Sequence, residues 1–600
     1  MASAPQSPSV LVVGAGPAGL VAALSLAQHG VPVRIVEKRT THQIGARGKN
    51  LQPRTLEIFA KLGLLDSILD KSIPVPKMRG YAPNGRDIAK EWDFFEVLKP
   101  SPGTPYVRSI QSHPHHSQRL TPEKPNPAML PQDITEGVLR DHLQKYGIQP
   151  EFGKELVGFQ QDDDGVTAQI LSLEKEEDNE ETLRVGWLVG ADGAKGIVRK
   201  TLGLAFLGET REGEGALIAD MKVKHLDHGF WHQWGDRSTA SVNFLPVSPA
   251  PRFQLIVIGH VDFPDAVWEG DLTALQEMFN ARTGRDDLKF EDLTWISRWK
   301  PNIRMVESFS VGRVFIAGDA AHVHSFTGGQ GLNSSIQDAY NLSWKLALAH
   351  KKLASPSLLS TYSYERLPVI AEMLSVSTKL LNLNVPGAAG TDGLAPAIAP
   401  QAAEGTGATP KAWTRGPHLR QLGVNYRWST IVVDERTPAV EGDIDDAYGL
   451  KGGIVRAGDR APDAPGLLDV QKGTTTTLHG EFSPTLHTAL VFAQQDGSIN
   501  PDILRALDSY NALTHANSPL VQAITLYPSA PPSHLRGNLP ASKALVDRDG
   551  HAYGGYAIEA DGPAYVVIVR PDGVVGAIVA GADGIERYFS GVLRAPPSTL

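Results

Sequence analysis

The segment that most restricts this chain is "SVLVVGAGPAGLVAALSLAQHGVPVRIVEK", running from Ser9 to Lys38. It reads as a strand (9–14), a helix (18–30) and a second strand (31–38), and two parallel strands need such a helical crossover. Gly14, Gly16 and Gly19 give G-x-G-x-x-G at the strand-to-helix turn. Gly14 permits the tight turn, Gly16 lets the backbone approach a pyrophosphate, and Gly19 allows close helix–sheet packing. Ala18 stands between them in the first helical turn, where free N–H groups and the positive dipole end favour an anion. Glu37, followed by Lys38, ends the second strand, where a carboxylate can bind a ribose diol. An acid there disfavours a 2′-phosphate, so the expected dinucleotide is FAD or NAD rather than NADP.

Other readings of the same stretch are weaker. Val10–Ala27 is apolar and nearly long enough for a bilayer, but its glycines and Pro17 favour strand, turn and helix. The opening "MASAPQSPS" lacks the basic start and apolar core of a signal peptide. Six hundred residues exceed one hydrophobic core, so several domains are expected. A net charge of −9 argues against a nucleic-acid or anionic-membrane surface. The chain has no cysteine, which excludes disulfides, thiolate zinc and thiol catalysis and suits a cytoplasmic protein.

Helices are expected at 53–66, at 133–147 with Asp133 as N-cap, and at 333–349. The run "EKEEDNEE" (174–181) reads as a solvated hairpin turn, and residues 205–300 alternate as an antiparallel sheet. Residues 384–410 are Ala/Gly/Pro-rich and read as a linker. A third unit begins near 450, with late strands at 564–573 and 574–581.

The second chemistry-bearing stretch is "RVFIAGDAAHVHSFTGGQGLN" (313–333). Asp319 ends a strand, where it can accept hydrogen bonds from ribityl hydroxyls. The turn Gly328–Gly331 presents N–H groups and a helix dipole that suit the negative charge of a reduced flavin. This second anion-stabilising helix favours FAD over NAD. Asp319, His322 and His324 also offer three metal-type ligands, but nothing nearby supplies a fourth. The histidines of "SHPHHS" (112–117) are explained by a surface loop, so no metal is expected.

Six segments in order carry a family resemblance: "VVGAGPAGL", "VEKR", "GARGKNLQPRTLEIFAKLGLLD", "PQDITEGVLRDHL", "LVGADGAKGIVRKTLG" and "GRVFIAGDAAHVHSFTGGQGLNSSIQDAYNLSWKLALA". Together they resemble the group A flavin-dependent aromatic monooxygenases of the p-hydroxybenzoate and phenol hydroxylase type. The resemblance implies a discontinuous Rossmann-type FAD-binding domain (1–80, 125–203 and 300–380). An antiparallel-sheet substrate domain (81–124 and 204–299), a linker (381–449) and a thioredoxin-like α/β domain (450–600) would complete the chain. It assigns Gly14, Gly16, Gly19 and Glu37 to the ADP half of FAD. Arg47 and Gln132 would contact the phosphate and ribityl regions, and Asp192 the pyrophosphate region and nicotinamide donor. Asp319 would bind the ribityl chain, while Gly331, Leu332 and Asn333 would face the pyrimidine edge.

The implied chemistry is reduction of FAD by transiently bound NADPH or NADH, then O2 activation as a flavin C4a-hydroperoxide that hydroxylates a phenolic or polyketide-type aromatic. A flavin oxidase or dehydrogenase, a decarboxylating or Baeyer–Villiger variant, and a non-catalytic flavin-binding protein are the alternatives. Three departures from the family pattern stand out. Phe326 replaces a usual proline beside the flavin, Gly196 replaces a common serine, and Lys49 and Asn50 occupy the stretch where phenol hydroxylases carry an acid. In "HGFWHQWGD" (228–236), Trp231, His232 and Trp234 are candidates for the pocket wall, with Phe326; packing under the sheet explains them as well. Tyr340 and Trp344 read as core. The C-terminal third resembles the thioredoxin-like unit through "QLGVNYRWS", "GDRAPDAPG", "LVDRDGHAYGGY" and "YVVIVRPDG". Without cysteine it cannot carry out dithiol exchange, so its expected role is active-site cover or the contact of a homodimer.

Overall fold

The computed structural model describes residues 8–94, 127–173, 180–211, 215–235, 240–259, 263–326, 328–380, 418–437, 444, 446–449, 451–510, 519–528 and 543–594, with short pieces of backbone beyond them. Strand Val10–Val13, helix Pro17–Gln28 and strand Val33–Glu37 form the βαβ unit the glycine spacing predicts. The sheet they open runs Glu151–Phe152, Val33–Glu37, Val10–Val13, Trp187–Gly190, Val314–Ile316, Ser310–Val311. Its first five strands are parallel and the last is antiparallel. Parallel strands covered on both faces read as continuous apolar runs, and Val10–Val13 and Val314–Ile316 are buried throughout. Three strands far apart in sequence thus bring Gly14, Asp192 and Asp319 to one carboxyl edge, where open α/β sheets bind ligands.

The seven-stranded second sheet has the order Lys289–Trp299, Ala216–Lys224, Arg252–Ile258, Ser241–Val247, Phe230–Trp234, Lys77–Tyr81, Ile88–Trp92. It is antiparallel except where Phe230–Trp234 pairs in parallel with Lys77–Tyr81. The latter strand, near the end of segment 1–80, therefore hydrogen-bonds into this sheet rather than the dinucleotide one. Period-two alternation sorts the side chains. Leu217, Ala219, Met221, Phe244, Phe253 and Leu255 pack under helix Leu272–Thr283. Trp231, Leu245, Ile256 and Ile258 point to the opposite face, towards the dinucleotide unit.

The third sheet contains Val521–Tyr527, His487–Phe492, Val566–Val569 and Val575–Val579 as neighbours, parallel for the first pair and antiparallel for the next two. Helices Pro501–Asn511 and Ala582–Val592 pack together beside it. This is the thioredoxin-like order. It shares its core with helix Gly331–His350, since Trp344 clusters with Ile431, Val566 and Phe589.

Two local expectations are corrected. The helix expected at 53–66 is two helices, Pro53–Lys61 and Leu65–Lys71, because Gly63 turns left-handed at φ 74°. The helix expected from 133 is Gln132–Gln144, and Asp133 lies in its first turn instead of capping it. One oxygen of its carboxylate accepts the Ile134 N–H at 2.8 Å and the other accepts the Gly45 N–H at 3.1 Å. The expected linker and the acidic run fall largely outside the described residues, as does "SHPHHS" (112–117).

Candidate active site: a dinucleotide cleft facing an aromatic wall

At the first βα turn the three glycines do different work. Gly14 has φ 103°, and a Cβ there would lie 2.3 Å from the Ala191 carbonyl oxygen. A Cβ on Gly19 would lie 1.9 Å from the Gly14 carbonyl oxygen. Gly16, the N-cap of helix Pro17–Gln28, has nothing within 4 Å of its would-be Cβ, and no side chain caps this helix end. The turn is closed behind and open in front, with free N–H groups on the open side. Ala18 is buried in the helix's first turn, where Gly318 packs on its methyl.

Glu37 is buried, and its carboxylate accepts the Ala15 N–H at 2.9 Å and Arg39 Nε at 2.9 Å. Burial pushes the Glu37 carboxyl up, but Arg39 and these N–H donors outweigh burial and hold it below the usual carboxylate range. Lys38 is exposed beside it. Asp192 caps helix Ile197–Thr201 by accepting the Val198 N–H at 3.0 Å, and its Oδ1 has no hydrogen-bond partner although buried. A Cβ on Gly196 would fall 2.1 Å from this carboxyl carbon, so Asp192 occupies the space a serine would need.

The other end of the cleft is built by the turn after Val314–Ile316. Asp319 is solvent-exposed although protein surrounds it densely, as for a side chain on the wall of a deep cleft, and that environment raises its carboxyl above the usual range. Fully buried Asp338 positions this turn: it accepts the Gly318 N–H (3.1 Å), pairs with His322 Nε2 (2.7 Å) and receives Arg366 Nε (2.7 Å). His324 Nδ1 lies 2.5 Å from the Ser325 carbonyl oxygen, and burial lowers this imidazole to about 4. His322 is thus committed to Asp338, and Asp319, His322 and His324 do not converge. Among the described residues, no group of three or more such ligands could hold a metal ion.

Helix Gly331–His350 starts without a side-chain cap, leaving the N–H groups of Gly331, Leu332 and Asn333 towards the cleft. Asn333 works as a staple: Oδ1 accepts the Gln52 N–H (2.8 Å), and Nδ2 donates to the carbonyls of Asn50 (2.8 Å) and Gly329 (2.8 Å). Segment 45–50 is suspended over this turn. Its Ala46 N–H donates to Asp220 Oδ2 (2.6 Å) and its Gly48 N–H to Gln132 Oε1 (3.4 Å). Arg47 is exposed at φ 35°, with its guanidinium 5.6 Å from the Trp295 ring.

The second sheet turns a face of mixed character to these loops. Trp231 and Phe94 pack with ring centroids 4.5 Å apart, and Trp299 meets Phe326 edge-on at 4.5 Å. All four belong to one apolar cluster with Met78 and Ile256. Between the rings stand buried polar groups. Trp231 Nε1 donates to Asn243 Oδ1 (3.3 Å), Gln254 Nε2 to Asp220 Oδ1 (3.1 Å), and Lys49 Nζ to Gln254 Oε1 (2.8 Å). Phe326 thereby joins the wall as a side chain. His232 and Trp234 do not, and their candidacy is corrected: alternation along Phe230–Trp234 turns both to the helix side. There Trp234 donates to the Gly85 carbonyl (2.9 Å). His232 uses both ring nitrogens, on Tyr81 Oη (2.8 Å) and the Asp227 carbonyl (2.7 Å), and burial lowers it to about 4.

The cleft fits FAD on its own chemistry. Two uncapped helix ends, an open Gly16 and an unpartnered buried Asp192 oxygen line one groove from Glu37 to Asp319. Residues 7–377 match the family described as FAD binding domain. The chain belongs to that family. A flavin-dependent monooxygenase of Mycobacteroides abscessus is 38% identical over 483 residues, covering 78% of this chain and 88% of the relative. A rifampicin monooxygenase of Streptomyces venezuelae is 33% identical over 61% of this chain and 69% of its own. A ternary complex of aklavinone-11 hydroxylase with FAD and aklavinone superimposes with a TM-score of 0.71 at 24% identity, over 98% of this chain and 99% of the other. The protein is thus a flavoprotein monooxygenase with FAD as its cofactor. Among the described residues no helix is long and apolar enough to cross a membrane.

Sequence reasoning missed Asp338, Asp220 and Gln254 as site builders. Asp338 left little signal, because Ser334, Ser335, Asn341 and Lys345 on the same side of its helix are polar too, and Asp220 and Gln254 look like ordinary strand positions.

Proposed function

We propose that this monooxygenase hydroxylates a phenolic or polyketide-type aromatic compound, using O2 and NADPH or NADH. The observation that carries the reading is the wall of Trp231, Phe94, Trp299 and Phe326, interleaved with Asn243 and Gln254, opposite the turn that begins helix Gly331–His350. Flat aromatic rings pack well on such surfaces, and a few fixed polar groups orient them. The names of relatives that act on rifampicin and aklavinone support a large aromatic substrate.

Bound FAD would supply hydride acceptance from the nicotinamide and activation of O2. Gly14, Gly16, Ala18 and Gly19 would hold its pyrophosphate, with Glu37 and Lys38 at the adenosine. Arg47, Gln132 and Asp192 would bind along its middle and Asp319 the ribityl chain. The N–H groups of Gly331, Leu332 and Asn333 would stabilise negative charge on the pyrimidine edge. The sheet face and segment 45–50 would exclude water and fix the ring at reacting distance. The partition into an FAD unit, a substrate-binding sheet and a thioredoxin-like cover follows from this assignment, and the absence of cysteine suits a cytoplasmic setting.

Anaerobic stopped-flow reduction of the holoenzyme by NADPH and by NADH, with and without a panel of phenols, tests the reading. At least one phenol should accelerate reduction many-fold and incorporate one atom of labelled O2. Equal rates with and without every aromatic, with peroxide as the sole oxygen product, would refute it.

A further inference from the structure

Segment 45–50 carries a buried cation that the assignment above does not use. Gly48 and Asn50 pack against the cofactor turn: a Cβ on Gly48 would lie 3.3 Å from Leu332 Cβ, and a Cβ on Gly329 would lie 3.2 Å from Asn50 Nδ2. Lys49, between them, projects the other way, to the sheet face that carries Asn243 and Trp231. It is 5% exposed, and its ammonium donates to Gln254 Oε1 at 2.8 Å. That is one acceptor for three donors among the described residues. Gln254 is in turn fixed by its bond to Asp220 Oδ1, and Asp220 is held by the Ala46 N–H.

A buried ammonium with unmatched donors is costly, and such groups are retained where an acceptor arrives. We propose that Lys49 takes the proton of the substrate's phenolic or enolic hydroxyl and then pairs with the resulting anion. The inference rests on the aromatic-hydroxylase reading and names the group that recognises the reacting hydroxyl. In this step the substrate O–H bond breaks, an N–H bond forms on the Lys49 amine, and the electron pair stays on oxygen. Nothing is oxidised or reduced. An oxyanion conjugated with the ring raises electron density at its ortho and para carbons, which electrophilic oxygen transfer requires. Burial brings Lys49 down to about 7 against the pull of Asp220, so the neutral amine is populated near neutral pH. Asp220 is the charged group acting on Lys49, and Asp220 itself feels Asp133 and Arg47 from the adjoining helix and loop.

The alternative is a structural lysine that merely balances Asp220, and the test separates the two. Holoenzyme is titrated with 4-nitrophenol and with alizarin, whose colours report ionisation, at a pH below the dye's own transition in water. Wild type should bind the dye as its coloured anion. Lys49→Met and Lys49→Gln should keep FAD but bind the dye in its neutral form, at least tenfold more weakly for the anion. Lys49→Arg, a fixed charge that accepts no proton, should pair with the anion while the proton leaves to solvent. A Lys49→Gln holoenzyme that ionises bound dye like wild type overturns the proposal, as does loss of FAD in both neutral variants. Wild-type holoenzyme that binds neither dye overturns the aromatic-substrate reading itself, and this proposal with it.

Discussion

Gly16→Ala gives the sharpest test of the cleft, because the structure separates its effect on the protein from its effect on the cofactor. Gly16 has φ −77° and ψ −178°, extended backbone that alanine adopts without strain, and its would-be Cβ meets nothing within 4 Å. Reduced freedom of the unfolded chain favours alanine by about 0.4–1 kcal/mol. Alanine is a poorer N-cap than glycine by roughly 0.5 kcal/mol. The two offset, so the apoprotein's unfolding free energy should change by less than about 0.5 kcal/mol. Bound FAD is different, since the methyl group would stand where a pyrophosphate oxygen meets the helix N-terminus. Loss of one charge-assisted hydrogen bond costs about 1.5–3 kcal/mol, which is roughly a tenfold to hundredfold rise in Kd. Gly14→Ala is the control: φ 103° and a 2.3 Å approach to Ala191 should destabilise apoprotein and holoprotein alike. Urea denaturation of apoprotein and fluorescence titration with FAD measure both quantities. Wild-type FAD affinity in Gly16→Ala, with stability intact, would show that the pyrophosphate does not approach this turn.

Three further outcomes follow from particular contacts. Glu365→Gln leaves Arg570 and Lys345, both fully buried, without their shared counter-charge and should cost about 3–5 kcal/mol, seen as a large drop in Tm; an unchanged Tm would deny the pairing. Trp234→Ala should cost about 3–5 kcal/mol as a core truncation, whereas Trp231→Ala should change KM for a substrate phenol more than it changes Tm; the reverse pattern would put the wall on the wrong face. Burial holds His29 and His479 at about 4 and His487 at about 3, below an unfolded value of roughly 6.5. As pH falls through 6.5 the unfolded chain binds protons that the folded one refuses, so stability should decline from about pH 6.5 towards 4, by up to roughly 1.4 kcal/mol per pH unit per histidine. His487→Phe should flatten that slope in urea midpoints across the range, and an identical slope would contradict the burial effect.

The parts of the site that were legible in sequence are those in which one short segment does the whole job. Gly14, Gly16, Gly19 and Glu37 lie on one βαβ unit, so their spacing alone describes a turn, a helix N-terminus and a strand end. Asp319 and the glycines after it are legible for the same reason. The aromatic run 228–236 shows the limit: its composition suited a pocket wall and packing under the sheet alike, and which alternate residues face the cleft depends on strand register against 77–81 and 241–247. Register gave Trp231 to the cleft and Trp234 to the core. Lys49 and Asp220 were illegible as partners because 174 positions separate Ala46 from the carboxylate that fixes it, and neither segment carries a local pattern announcing the other.

The thioredoxin-like unit, which cannot exchange thiols, acquires a positional role from the same long-range contacts. Helix Gly331–His350 opens its uncapped N-terminus to the proposed cofactor cleft, and its later turns are clamped by the C-terminal unit. Glu365 binds Arg570 through both oxygens and also receives Lys345, Asn341 and Ser429. Asp572 receives Trp344 Nε1, and the Tyr340 hydroxyl donates to the Pro571 carbonyl. Segment 417–426 grips the other end: Gln330 Nε2 donates to the Leu419 carbonyl, Gln337 Nε2 to Gln421 Oε1, Gln421 Nε2 to the Ser334 hydroxyl, and Arg366 to the Tyr426 hydroxyl. Arg366 in turn holds Asp338, which fixes Gly318 beside Asp319. Preorganised N–H groups stabilise charge because they do not have to reorient when it develops. A helix anchored along its length by buried ion pairs meets that requirement, which gives a cysteine-free domain a physical reason to be built into a flavin site.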